Sequence, residues 1–122
     1  MSEGTKNHTF RARLGYALEG IAAVWRSEHS FRTQCAIAVA AIIVTALLRP
    51  GWVWAAVVAL AIALVLAFEL MNSALETIID HLHPGIAPQV KRAKDAAAGA
   101  VLVASLGALA TGLMMLAAFW LG

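Results

Sequence analysis

The sequence predicts an all-α membrane protein, with an N-terminal amphipathic surface helix and three transmembrane helices, working as a homo-oligomer. Three observations carry that expectation. Hydrophobic residues make up 61% of the 122 and charged residues 13%, whereas soluble chains run at about half apolar and about a quarter charged. So large an excess is hard to hide inside the core of so short a soluble chain. The apolar residues also gather in three long runs, separated by Arg49-Pro50-Gly51 and by His83-Pro84-Gly85-Ile86-Ala87-Pro88. Lastly, basic residues are distributed unevenly among the segments between those runs. The length allows one domain, 1–122.

Met1 to His8 is polar and no apolar stretch follows it directly, so no secretory signal is expected and the protein inserts through its own helices. Phe10, Leu14, Leu18, Ile21 and Trp25 then recur every three or four residues, which puts them on one helical face. Arg11, Arg13, Glu19 and Arg26 lie off it. A helix over about 7–27 with this pattern suits a membrane interface; the alternative is a helix packed on a soluble bundle.

The first span is expected over about 31–49. Its uncharged part, Cys35 to Leu48, is short for a hydrocarbon core of about 30 Å. Extension back to Phe31 supplies the length if Arg32 snorkels to the headgroups. Arg49-Pro50-Gly51 stops the helix. Cys35 is the single cysteine, which excludes an intrachain disulfide and a thiolate zinc site and reads as a buried, inert thiol.

A second span over about 52–70 opens with Trp52 and Trp54, interfacial anchors, and is wholly apolar through Phe68. Its helical pattern continues to about residue 82, now with polar groups, until Pro84 and Pro88 break it. The third span, about 96–121, carries Ala100, Ala104, Ala108 and Gly112 at intervals of four, a stripe of small residues that lets helices approach closely. Three spans are few for a closed site, hence the expected homo-oligomer. Of the nine Lys and Arg, Lys6, Arg11, Arg13, Arg26 and Arg32 precede or open the first span, and Lys91, Arg92 and Lys94 precede the third. Only Arg49 lies in the other loop. The positive-inside rule then places the N-terminus in the cytoplasm and the C-terminus outside.

The residues that point to chemistry are Glu69, Asn72, Ser73, Glu76 and Asp80. At about 100° per residue they occupy roughly 100° of arc on one face, and they climb about 16 Å from the end of the apolar run. Ionisable groups at such a place are expensive to keep and are read as functional. A solvated helix end whose acids pair with Lys91, Arg92 and Lys94 is the other reading, and it suits Asp80 best. Glu28 precedes the first span at the same membrane face as Glu76. Two carboxylates meeting there make a hard-cation site, since Mg²⁺ takes oxygen ligands, often one or two carboxylates together with substrate phosphates. Lys94 and Asp95 open the third span, where a lysine near a helix start can meet phosphate; ordinary topology needs basic residues there as well. No P-loop and no G-x-G-x-x-G is present, and the four histidines make no zincin motif. No nucleic-acid partner is expected.

Glu69-Leu70-Met71-Asn72-Ser73-Ala74-Leu75-Glu76-Thr77-Ile78-Ile79-Asp80 resembles the E-x-x-N-[ST]-A-[IL]-E-x-x-x-D signature of prokaryotic diacylglycerol kinases. Arg92-Ala93-Lys94-Asp95 is similar to their second signature, and Trp25-x-x-Glu28-x-x-Phe31-Arg32 to their approach to the first span. The resemblance covers almost the whole chain. It implies a multi-pass homotrimer of the bacterial inner membrane with active sites shared between subunits, phosphorylating diacylglycerol to phosphatidic acid with ATP and Mg²⁺. By position, Glu69 would be the general base and Glu28 and Glu76 the magnesium ligands. Tyr16, Glu28, Asn72, Glu76, Lys94 and Asp95 would contact the nucleotide. Gly15, Trp25, Ser30, Phe31, Arg32, Leu48, Glu69 and Ala98 would line the lipid path. Departures from the pattern are Gln34, where relatives often carry an acid, the shift of an N-terminal arginine to Arg11 or Arg13, and the apolar Gly85-Ile86-Ala87. The rival readings are an undecaprenol kinase of the same family, a small proton-coupled exporter and a purely structural membrane subunit. Several acids at one edge beside a lysine argue against the exporter, and Glu69 on an apolar helix argues against the subunit.

Overall fold

A computed structural model describes residues 9–85 and 87–122. Lys6, the beginning of the surface helix at residue 7 and Ile86 lie outside the described residues. Helix α1 is Phe10–Ser27, α2 His29–Leu48, α3 Trp52–Leu82 and α4 Pro88–Leu121; among the described residues there is no strand. Three of the four, α2, α3 and α4, are long and apolar enough to cross a membrane.

α1 begins where the Thr9 hydroxyl accepts a hydrogen bond from the Ala12 N–H at 3.2 Å, satisfying one of the donors a helix start leaves free. It ends at Glu28, which turns to extended backbone (φ −116°, ψ 109°) while its N–H still bonds the Val24 carbonyl at 2.8 Å. Glu28 alone joins α1 to α2. The Arg32 guanidinium donates to the carbonyls of Trp25 and Arg26. The free carbonyls closing α1 present negative charge to a cation one turn into α2. No α1 residue is buried, and the stripe Phe10, Leu14, Leu18, Ile21 and Trp25 stays exposed.

α2 closes at Arg49, which takes the left-handed conformation (φ 51°, ψ 56°) with its N–H on the Thr45 carbonyl. Gly51 follows at φ 107°, so three residues turn the chain into α3. With 31 and 34 residues, α3 and α4 run to about 46 and 51 Å and overhang any bilayer. α4 starts at Pro88, not at Ala96. Proline is well tolerated as the first helical residue because its missing N–H would have had no partner. Lys91, Arg92 and Lys94 thus ride on helix instead of preceding it. Hydropathy marks where lipid contact can begin, and the helix itself begins earlier.

α3 packs on both α4 and α2, and α1 touches α2 and α3. The seam is thin. Among the described residues, Phe31 and Ala38 of α2, Val58, Val65, Glu69 and Ser73 of α3, and Met115 of α4 are the buried ones. The α3 members are spaced seven, four and four, one helical face. Ala100, Ala104, Ala108 and Gly112 are all half-buried, whereas Leu102, Val103, Leu106 and Leu109 are exposed. Between α2, α3 and α4 lies an apolar groove of about 520 Å³, with Gln34, Thr45 and Ser105 among its lining residues. The Gln34 amide donates to Ser105 at 3.5 Å.

Candidate active site at one end of the bundle

Glu69 lies in the same buried row as Val58 and Val65, one turn beyond the latter, and is 7% exposed. An ionisable group so placed needs a polar partner. It has one in Ser30, whose Oγ donates to Glu69 Oε2 at 3.3 Å from the first turn of α2. Ser73, the next residue of the row, is also buried, and its carbonyl accepts from the Thr77 hydroxyl at 2.8 Å.

One turn from Glu69, the Asn72 amide donates to Glu76 Oε1 at 3.5 Å. Its carbonyl oxygen Oδ1 is buried with no hydrogen-bond partner, a rare state for a polar atom inside a protein. Glu76 and Glu28 are each half-buried. Farther along, Lys94 meets Asp80 at 2.8 Å and Lys91 meets Asp95 at 2.6 Å, both pairs well exposed. Among the described residues no other ion pair forms, and the charge of Lys94 also interacts with Glu76. No three His, Cys, Asp or Glu side chains of the described residues gather as metal ligands. A cation here would be held by carboxylates one or two at a time, with substrate oxygens completing its shell.

The structure thus brings Ser30 to Glu69 and Asn72 to Glu76, and ties Lys94 to Asp80 and Asp95 to Lys91. Asp80 behaves as the solvated-end reading expects. Gly15 and Tyr16 are half-buried on α1, Trp25 is exposed near its end, Phe31 is 4% exposed within the seam, and Ala98 is exposed one turn beyond Lys94. Leu48 closes α2 at the opposite end, about 27 Å along the axis from Ser30, and does not join the other residues. Sequence reasoning missed two things: the contact between Ser30 and Glu69, and the burial of Ser73. The seven-and-four spacing of Val58, Val65, Glu69 and Ser73 was the available signal, since it continues the packing face straight into the carboxylate.

Four helices, three of them able to span a bilayer, with a buried carboxylate and further acids and an amide rising from one end, define a helical membrane protein with a polar site at its edge. A family model described as prokaryotic diacylglycerol kinase matches residues 15–116, and the chain belongs to that family. Three relatives to which the chain is similar are each named diacylglycerol kinase. The protein from Synechocystis is 37% identical over 98 residues, 80% of this chain and 56% of its own length. That from Escherichia coli K12 is 28% identical over 102 residues, 84% of either chain. That from Haemophilus influenzae is 32% identical over 89 residues, 73% of this chain and 75% of its own. The chain therefore spans little more than half of the Synechocystis relative and most of the other two.

Proposed function

We propose that this protein phosphorylates diacylglycerol to phosphatidic acid with ATP, at the cytoplasmic face of the bacterial inner membrane, as a homotrimer whose sites are shared between subunits. The observation that carries the reading is Glu69, a buried carboxylate at the point where the apolar row of α3 gives way to polar residues. A lipid hydroxyl reaches that depth from the bilayer; a nucleotide reaches the same helix from water. Membership of the diacylglycerol kinase family and the names of the relatives support the choice of reaction and acceptor. The many exposed large hydrophobic residues of α2, α3 and α4 suit contact with lipid and with further copies.

In this reading Glu69 accepts the proton of the lipid hydroxyl as its oxygen attacks the γ-phosphorus of ATP, and ADP leaves. Asn72 presents its unpartnered Oδ1 to the nucleotide, and its amide steadies Glu76. Lys94, with Asp95 and Tyr16, contacts the nucleotide, Lys94 exchanging its Asp80 partner for phosphate oxygens. Gly15, Trp25, Ser30, Phe31, Arg32 and Ala98 border the lipid. The half-buried carboxylates of Glu28 and Glu76 supply the oxygen ligands a hard cation takes and would hold Mg²⁺. When bound, Mg²⁺ would offset phosphate charge and orient the transferring group.

Purified protein in mixed micelles with labelled ATP tests this, with diacylglycerol and undecaprenol compared as acceptors. Label is expected in phosphatidic acid. Transfer to undecaprenol alone would replace the acceptor, and transfer to neither would overturn the kinase reading.

A further inference from the structure

We propose that Ser30 is a positioning residue for Glu69, its hydroxyl fixing the carboxylate so that one oxygen is held and the other faces the substrate. This rests on the reading of Glu69 as the base and adds a second residue to it.

The contact joins positions 39 apart in sequence, Ser30 Oγ donating to Glu69 Oε2 at 3.3 Å. Both ends are constrained. Glu69 is 7% exposed within the α3 seam, where its backbone cannot shift without disturbing Val65 and Ser73. Ser30 sits in the first turn of α2, and three features fix that turn. The link to α1 is the single residue Glu28. The neighbouring Phe31 is 4% exposed. Arg32, one residue further, ties α2 to the last carbonyls of α1. The elbow between α1 and α2 therefore sets where the Ser30 backbone stands, and the hydroxyl of this exposed residue is oriented by Glu69.

Four other hydrogen-bond donors at this end are engaged elsewhere. The Asn72 amide bonds Glu76, Lys94 bonds Asp80, Lys91 bonds Asp95, and Arg32 bonds backbone carbonyls. Tyr16 lies on α1, which also touches α3.

The terminal torsion of a glutamate is broad and roughly two-fold, so burial alone leaves the carboxylate plane free to turn. A hydrogen bond to Oε2 selects one orientation. Oε1 then keeps its lone pairs for the proton of the attacking hydroxyl. Small errors in the placement of a reacting group cost up to about a hundredfold in rate, so the effect is expected in turnover and not in binding.

The test compares Ser30→Ala, Ser30→Thr, Glu69→Gln and the Ser30→Ala/Glu69→Gln double variant, all assembled and in the same micelles. We expect Ser30→Ala to lower kcat about tenfold with KM for diacylglycerol and for ATP within about twofold. Ser30→Thr, which keeps the hydroxyl, should restore most of it. In the Glu69→Gln background, Ser30→Ala should cause no further loss, because the two residues act as a unit. The infrared carboxylate band that disappears in Glu69→Gln should move in Ser30→Ala. An unmoved band, an unchanged kcat in Ser30→Ala or an equal loss in both backgrounds overturns the role of Ser30 and leaves the base standing, provided Glu69→Gln is inactive. Near-normal turnover in Glu69→Gln overturns the base itself, and the positioning role with it.

Discussion

Glu69 occupies a position that an apolar residue would fill at lower cost. Val58 and Val65 precede it on the same buried face, and a carboxylate there forgoes hydration that a single serine hydroxyl replaces only in part. Such a group persists where its chemistry is needed. Glu69→Gln keeps the size and hydrogen-bonding capacity of the side chain and removes its charge, so folding and assembly are expected to survive. Loss of a general base costs about 10²- to 10⁴-fold, and turnover should fall by at least about a hundredfold with ATP binding intact. Phosphate transfer and nucleotide binding measured on one preparation check this. Lost ATP binding together with lost activity would instead place Glu69 at the nucleotide.

Among the elements, the connection between α2 and α3 is the most sharply constrained. Arg49 stands at φ 51° and Gly51 at φ 107°, ψ 162°, the second in a region open essentially to glycine alone. A Cβ at Gly51 would meet no neighbouring atom, so a substitution there reports backbone strain and not crowding. Gly51→Ala should destabilise the protein by about 1–3 kcal/mol, read as an earlier thermal transition in micelles. Its kcat should stay near normal, because this turn lies at the end of α2 opposite Ser30. The elbow between α1 and α2 is different in kind, since there the Arg32 clamp and the one-residue link set the angle at which α2 presents Ser30 to α3.

At the scale of the whole molecule, the single chain buries very little. Among the described residues five apolar and two polar ones are buried, and exposed large hydrophobic residues run the length of α2, α3 and α4. Lipid and neighbouring copies are the surroundings in which such a surface is stable. The basic residues are unevenly placed along the chain. Arg11, Arg13, Arg26 and Arg32 lie on α1 and the first turn of α2, Lys91, Arg92 and Lys94 on the first turns of α4, and Arg49 in the turn between α2 and α3. A reporter fused after Gly122 should therefore be exported, and one placed in the segment after Leu82 should remain in the cytoplasm. Cytoplasmic activity of the Gly122 fusion would reverse the membrane orientation and put the site on the wrong side for ATP.

The all-helical class, three helices fit to span a bilayer and the stripe from Glu69 to Asp80 were legible in the sequence, because hydropathy and helical period are local properties that each residue carries with it. The signature around Glu69 was legible for the same reason, and with it the family. Tertiary structure decided what local pattern does not encode. The start of α4 at Pro88 depended on helix continuing beyond the apolar run, where hydropathy gives no signal. Arg32 bonds the carbonyls of α1 because the one-residue link at Glu28 brings those carbonyls within reach. Lys94 took Asp80 as partner because α3 and α4 overhang side by side. Ser30 reached Glu69 only through the packing of α2 on α3. A hydrogen bond across 39 positions depends on the separation and rotation of two helices, and neither quantity is written in the residues of either one.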